Sequence, residues 1–328
     1  MALNKFANFL KLHEIKESKN LRIGNKQKDG GYTCSDNLLN SIDIIYNYGV
    51  GDDVSFEHEF IDMFPEKLVR SFDHTIDKHP LPHSKIDYHK EGLASKKTKD
   101  CDRFENHVLR FEDSDKKILL KMDVEGAEYE YFKNIDNDFF RKNVYGIILE
   151  LHDLDSCLDN AINILENLHQ DYVCVHWHNN NNGDIFCDDG YFFPTVIEIS
   201  LVNKHFFKFD LSDSKLPLSI DVPCNPNRPE YHLDLCCDSL TNHNQIVEIT
   251  IQLNNRLIDL ESKLANNINE KEDIKNNLNI VTNELEHYKR LSESMDVRLS
   301  EIYGSLIWKI TKPFRGFKKI INRFFVKS

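Results

Sequence analysis

Through the first 240 residues, short apolar runs alternate with polar stretches of helix-like spacing. The runs are IDIIYNYG (42–49), KLVRSFD (67–73), SKIDYHKEG (84–92), KILLKMD (117–123), VYGIILELH (144–152), DYVCVHWH (171–178) and TVIEISLV (195–202). Most end in turn residues or charge, which predicts seven strands. Between two of them, LDNAINILENLH (158–169) places Ala161, Ile164, Leu165 and Leu168 on one helical face. Strands interleaved with helices predict βαβ units, a mostly parallel sheet and an α/β domain over residues 1–240.

The pattern changes at residue 246. Alternate steps of four and three from Ile246 to Ile302 visit 17 positions, of which 13 are apolar, with no Pro or Gly in the stretch. Such spacing predicts a coiled coil over residues 246–302, with self-association into a homo-oligomer. Asn267 and Lys271 fall on the seam, where polar residues set register or strand number. A single long helix folded back on the chain is the other reading.

Residues 303–328 form a third segment. After Pro313, the residues Phe314, Phe317, Ile320, Ile321, Phe324 and Phe325 share one helical face opposite Arg315, Lys318, Lys319 and Arg323. A basic amphipathic helix of this kind lies on an anionic membrane or docks on a protein partner. The charge follows the same division. The chain carries −13 overall, yet residues 301–328 hold seven basic residues against Glu301 alone. The body is therefore strongly acidic, which argues against binding nucleic acid. The eight cysteines form no C-x-x-C, and the N-terminus lacks a signal-peptide core. These features predict free thiols and a cytoplasmic setting, peripheral on the inner membrane surface if the tail anchors there.

The strand ends carry the candidate chemistry. Gly49 and Gly51 make a G-x-G turn after the first run, and Asp73 ends the second a little over 20 residues on. Glycines admit a ligand close to the backbone, and an acid at that offset suits ribose hydroxyls. The third run ends in Glu91-Gly92-Leu93, and the fourth ends in Asp123 with Glu125 and Gly126 beyond it. Asp123 and Glu125 are either ligand-facing carboxylates or caps of the next helix.

Gly49-x-Gly51, Asp73, EGLA (91–94) and above all LLKMDVEGAEYE (119–130) resemble the FkbM-type class I S-adenosylmethionine-dependent methyltransferases. RIGNKQKDGGY (22–32), ILELHDL (148–154), HWHNN (176–180) and PCNPNRPEY (223–231) are similar to elements of one branch of that family. The resemblance implies a Rossmann-like seven-stranded sheet followed by the coiled coil and tail. It implies S-adenosylmethionine as cofactor, held by Gly49, Gly51, Asp73, Glu91, Gly92, Leu93 and Asp123. Asn47 stands where the family's glycine turn has an acid, and Asp53 where it has its last glycine. DGGY (29–32) is either a plain turn or, on the resemblance, a segment near the cofactor mouth.

The expected activity is O-methylation of a sugar hydroxyl, on a saccharide or glycolipid-linked sugar of surface polysaccharide biosynthesis. A non-catalytic scaffold, or methylation of protein or lipid, are the alternatives. Removing the hydroxyl proton calls for a base, and Asp123, Glu125, His152 and His178 are the candidates. His176 shares a strand face with His178 and reads as structural. NNNNG (179–183) reads as a solvated loop, with Asn179 and Asn180 free to meet sugar hydroxyls. No single motif supplies a complete ligand set, so no metal is expected.

Overall fold

The computed structural model describes residues 2–188, 191–232, 250–251, 254–258, 260 and 274–304. It divides into two compact units, Met1–Gln245 and Ile246–Ser328. In the first, all seven runs form strands of one sheet. They are β1 (Ile44–Tyr48), β2 (Leu68–Phe72), β3 (Ile86–His89), β4 (Ile118–Met122), β5 (Val144–Leu151), β6 (Tyr172–Asn179) and β7 (Ile197–Asn203). Their order is β6-β7-β5-β4-β1-β2-β3. Strands β1 to β5 pair in parallel, whereas β7 runs antiparallel to both β5 and β6.

Every residue of β1 and β4 is buried. Central parallel strands are covered on both faces, which is why their sequences read as nearly unbroken apolar runs. The described helices are α1 (Ala2–Phe9), α2 (Asp36–Ser41), α3 (Ser55–Met63), α4 (Phe104–Arg110), α5 (Ala127–Phe132), α6 (Asn137–Asn143), α7 (Leu154–Leu168) and α8 (Ile274–Gly304). The stretch read as helical at 158–169 belongs to α7, which begins four residues earlier and buries Ala161, Ile164, Leu165 and Leu168 as expected, with Leu154 and Ile162. Helix α3 follows the G-x-G turn and buries Phe56, Phe60 and Ile61. An antiparallel hairpin, Asn20–Gly24 with Gly31–Ser35, is fixed to β7 by a 2.6 Å bond from Ser200 Oγ to the Thr33 carbonyl.

From β1 the chain proceeds to β2 and β3 on one side, then returns to place β4 and β5 on the other. The carboxyl ends of β1 and β4 thus flank the point where strand order reverses, the place where open α/β sheets bind ligands. Gly49 and Asp123 stand at those two ends.

In the second unit, α8 buries Leu285, Tyr288, Leu291, Met295 and Leu299. Helical residues before it run antiparallel: Thr250 Oγ1 lies 3.5 Å from Met295 Sδ, and Ser292 Oγ lies 3.5 Å from Asn254 Oδ1. Seam positions are therefore paired within one chain here. Residues 261–273 of the predicted coiled coil and the tail from residue 305 lie outside the described residues. No described helix is long and apolar enough to cross a membrane.

Candidate active site

A cavity of about 220 Å³ opens at the switch point, lined by Asp29, Gly30 and Tyr32 of the hairpin, Gly49 to Asp53 of the turn, and Lys121 and Asp123 of β4 and its end. Gly49 has φ +82°, and a Cβ there would meet the Asp123 carbonyl oxygen at 1.6 Å. Only glycine lets the two strand ends touch through their backbones. Gly51 also has positive φ, but a Cβ on it would meet nothing within 4 Å. It faces open space.

Asp73 holds this turn in shape. Its Oδ2 accepts from the Val50 and Gly51 amides at 3.1 Å each, and Oδ1 accepts from the Thr75 amide (2.7 Å) and hydroxyl (2.6 Å). Burial would raise its pKa, but donors from Thr75, Gly51 and Val50 hold the carboxyl below the usual range. Asp53, at the family's glycine position, accepts from Asn25 Nδ2 at 2.8 Å and so ties the hairpin to the turn. The carboxylate missing at Asn47 comes from α3 instead: Glu57 Oε1 accepts from Asn47 Nδ2 at 2.6 Å.

Asp123 meets a ring of acid–base groups. Tyr32 donates to its Oδ2 at 3.0 Å, and its Oδ1 lies 3.8 Å from His152 Nε2. The same nitrogen is 3.4 Å from Glu125 and 3.5 Å from Glu150, while Nδ1 is 3.5 Å from Glu128. Burial would lower the His152 pKa, but Glu128, Asp123 and Glu125 together raise it. Glu125 reaches this ring from a left-handed backbone, φ +52°, with an exposed side chain. Four carboxylates converge on one imidazole.

A second polar layer lies beside it. Glu150 of β5 pairs in register with Glu198 of β7, which pairs with His178 of β6, so the three share one face. Burial, with the Asp123 and Glu198 charges, holds the Glu150 carboxyl well above the usual range. Glu198 stays ionised despite burial because His178 lies against it. Burial opposes charge on His178, yet Glu198 and Glu230 lift its pKa to about 10. Its two carboxylate neighbours favour the charged ring, whereas His152 faces Asp123 and Glu125.

Other expected residues are placed as follows. Glu91 forms a 2.5 Å ion pair with Arg110, and Gly92 and Leu93 make a short buried strand with Cys101–Asp102. None of the three lines the cavity, nor does Asp73. His176 is buried and hydrogen-bonded to Asp221 at 3.0 Å. The NNNNG stretch is not a solvated loop at its start, because Asn179, Asn180 and Asn181 are buried. Asn179 donates to the Tyr231 carbonyl, Asn180 to Glu150, and Asn181 to the carbonyls of Asn225, Arg228 and Pro229. Asn179 and Asn181 satisfy backbone carbonyls and Asn180 a buried carboxylate, which is how polar residues become interior.

Sequence reasoning singled out the DGGY segment that holds Asp29 and Tyr32, both in the cavity lining, but assigned no role to Glu57, Lys121, Glu150, Glu198, Cys224 and Glu230. Glu150-x-His152 carried a signal, since residues two apart on a strand share a face. Among the described residues, Cys34, Cys101, Cys157 and Cys224 are free thiols.

Residues 17–174 match the family model described as the Methyltransferase FkbM domain. No curated protein matches the chain. Among solved structures, a chain of a fibrillarin/Nop5p complex is similar at 11% identity and TM-score 0.31, covering 50% of this chain and 73% of that one. An uncharacterized protein from Listeria monocytogenes serotype 4b is similar at 11% identity and TM-score 0.28, covering 79% and 96%. A precorrin-6y C5,15-methyltransferase from Geobacter metallireducens GS-15 is similar at 13% identity and TM-score 0.28, covering 51% and 86%.

Proposed function

We propose that this chain, a methyltransferase carrying an FkbM domain over residues 17–174, uses S-adenosylmethionine to O-methylate a saccharide hydroxyl. The observation that carries this reading is His152, held within 3.8 Å of Asp123, Glu125, Glu128 and Glu150 beside the switch-point cavity.

The cavity suits that cofactor. Its lining sets Asp29, Asp52, Asp53, Glu57 and Asp123 against Lys28 and Lys121, an acidic surround for a sulfonium and an ammonium group. The Gly49–Gly51 backbone and Asp123 would hold the methionine end, and Gly51 leaves space there. When bound, S-adenosylmethionine supplies a methyl group made electrophilic by its sulfonium.

The chain's residues handle the proton. An acceptor hydroxyl between Asp123 and His152 gives its proton to His152 Nε2 in the neutral form of the ring. Asp123, fixed by the Tyr32 hydroxyl, orients the acceptor, and the surrounding carboxylates stabilise the imidazolium that forms. Burial and the Asp123 charge keep the Tyr32 phenol far above its ordinary pKa, so it remains a donor throughout. The basic amphipathic pattern of residues 303–328 supports an acceptor presented at an anionic membrane surface.

The test is methyl transfer from labelled cofactor to nucleotide sugars and lipid-linked saccharides, with proteins and plain lipids alongside. Asp123→Asn and His152→Ala should each lower turnover by about 100- to 10,000-fold, with melting temperature little changed. Calorimetry that finds no cofactor binding would return the chain to a scaffold role.

A further inference from the structure

We propose that His178 Nδ1, Glu198 and Cys224 Sγ form a zinc site that fastens the segment carrying Cys224 and Glu230 to the edge of the sheet. The three side chains come from β6, from β7 and from the chain beyond the sheet, and their exposures are 2%, 5% and 3%. Sγ lies 3.2 Å from Glu198 Oε1 and 3.8 Å from His178 Nδ1, and Nδ1 lies 3.5 Å from Glu198 Oε2. A tetrahedral ion with bonds of about 2.0–2.3 Å separates its ligands by roughly 3.3–3.6 Å. The Glu198 carboxylate meets Sγ through Oε1 and Nδ1 through Oε2, and with one donor atom taken from each residue the three lie within 4.8 Å of one another.

The donor set is mixed rather than merely acidic. An imidazole, a carboxylate and a thiol together select zinc among the abundant divalent ions, since magnesium and calcium take oxygen alone. The far side of the ring is also furnished: Nε2 faces Glu230 Oε2 at 3.4 Å, the outer carboxylate that orients a ligating histidine. Asp29 brings a further oxygen within 4.8 Å of Glu198.

Asp29, Glu150, Glu198 and Glu230 crowd the position. The Arg22 guanidinium donates to the Asn25 and Lys28 carbonyls at 3.0 and 3.1 Å, and its charge also acts on Glu198. Zinc would displace the protons of His178 and Cys224, which leaves the net charge of the cluster unchanged while joining its donors through one ion. The Asp123–Glu125–His152 group also brings donor atoms together, but Glu125 is exposed and the group belongs to the proton-transfer site.

The experiment uses the full chain, stripped with chelator and then titrated with Zn²⁺ or Co²⁺ alone. Elemental analysis should find about one zinc per chain, and cobalt should give near-ultraviolet thiolate-to-metal absorption. Cys224→Ser and His178→Ala should lose that absorption, while Cys157→Ser, altered at a thiol outside the cluster, should keep it. Glu230→Gln should weaken zinc binding by about 10- to 100-fold. The folded wild type decides even if variants fail to fold: no thiolate band at saturating cobalt overturns the proposal. So does zinc retained equally by folded Cys224→Ser and His178→Ala. None of these readouts requires methyl transfer, so a failed methylation assay leaves the test intact.

Discussion

Glu57 Oε1 accepts a 2.6 Å hydrogen bond from Asn47 Nδ2, which brings an acid to the glycine turn from α3 rather than from β1. Both side chains are buried, and burial raises the Glu57 pKa while the Lys121 charge partly offsets it. An acid at position 47 would therefore be harmful in this chain. Asn47→Asp removes the donor and sets two carboxylates together. It should destabilise the protein by about 1–3 kcal/mol at neutral pH. A buried acid of raised pKa favours its protonated form, so the deficit should shrink as pH falls. Denaturant melts of both proteins at neutral and mildly acidic pH check this; an equal deficit at both would refute the pairing.

His152 gives a prediction in pH. Its pKa is raised by Glu128, Asp123 and Glu125 against the effect of burial, and Glu150 also faces it. The base must be deprotonated to work, so kcat/KM should fall as pH drops through a value above that of an ordinary histidine. Glu125→Gln, which removes the exposed member, should move that limb toward lower pH. The sign for stability is opposite. The raised pKa contributes stability that is complete below the unfolded value and disappears as pH rises through the folded one. A limb unmoved by Glu125→Gln would mean another group is the base.

Asp73, the residue expected to meet the ribose, accepts from the Val50 and Gly51 amides and from the Thr75 amide and hydroxyl. Its first duty is to the glycine turn. Asp73→Asn should weaken cofactor binding and also lower stability by about 1–3 kcal/mol, because buried amides lose an acceptor. A side chain serving the ligand alone would change calorimetric affinity and leave the melting temperature where it was. The depressed pKa makes this stabilisation present above the unfolded carboxylate value and lost as pH falls through the folded one.

The sheet was legible because buried parallel strands need unbroken apolar runs, and β1 and β4 carry them with a glycine or an acid at the end. Asp123 was legible for the same reason. Glu198 and Cys224 were not, since the strand pairing and return segment that bring them to His178 leave no local spacing in the chain. The asparagines at 179–181 misled because polarity alone says nothing of the carbonyls of residues 225–231 brought to Asn179 and Asn181, or of Glu150 beside Asn180. The departures at Asn47 and Asp53 read as losses, whereas Glu57 and Asn25 compensate for them from other elements.

The seam of the second unit shows the same limit, and it leads to the last prediction. Leu285, Tyr288, Ser292, Met295 and Leu299 fall on the predicted 3–4 spacing and are buried. Periodicity fixes which face is covered but not whether a second copy covers it. Thr250 against Met295 and Asn254 against Ser292 set the described residues around 250–254 antiparallel to α8 within one chain. A hairpin and an oligomer differ in mass action, because only association makes melting depend on concentration. Leu299→Ala should destabilise the unit by about 2–5 kcal/mol, as for a buried leucine. For both the wild type and this variant, the helical transition followed by circular dichroism should stay at one temperature across a roughly hundredfold range of protein concentration. A transition that climbs with concentration would mean that the seam is completed by a second chain, and the self-associating coiled coil becomes the better account.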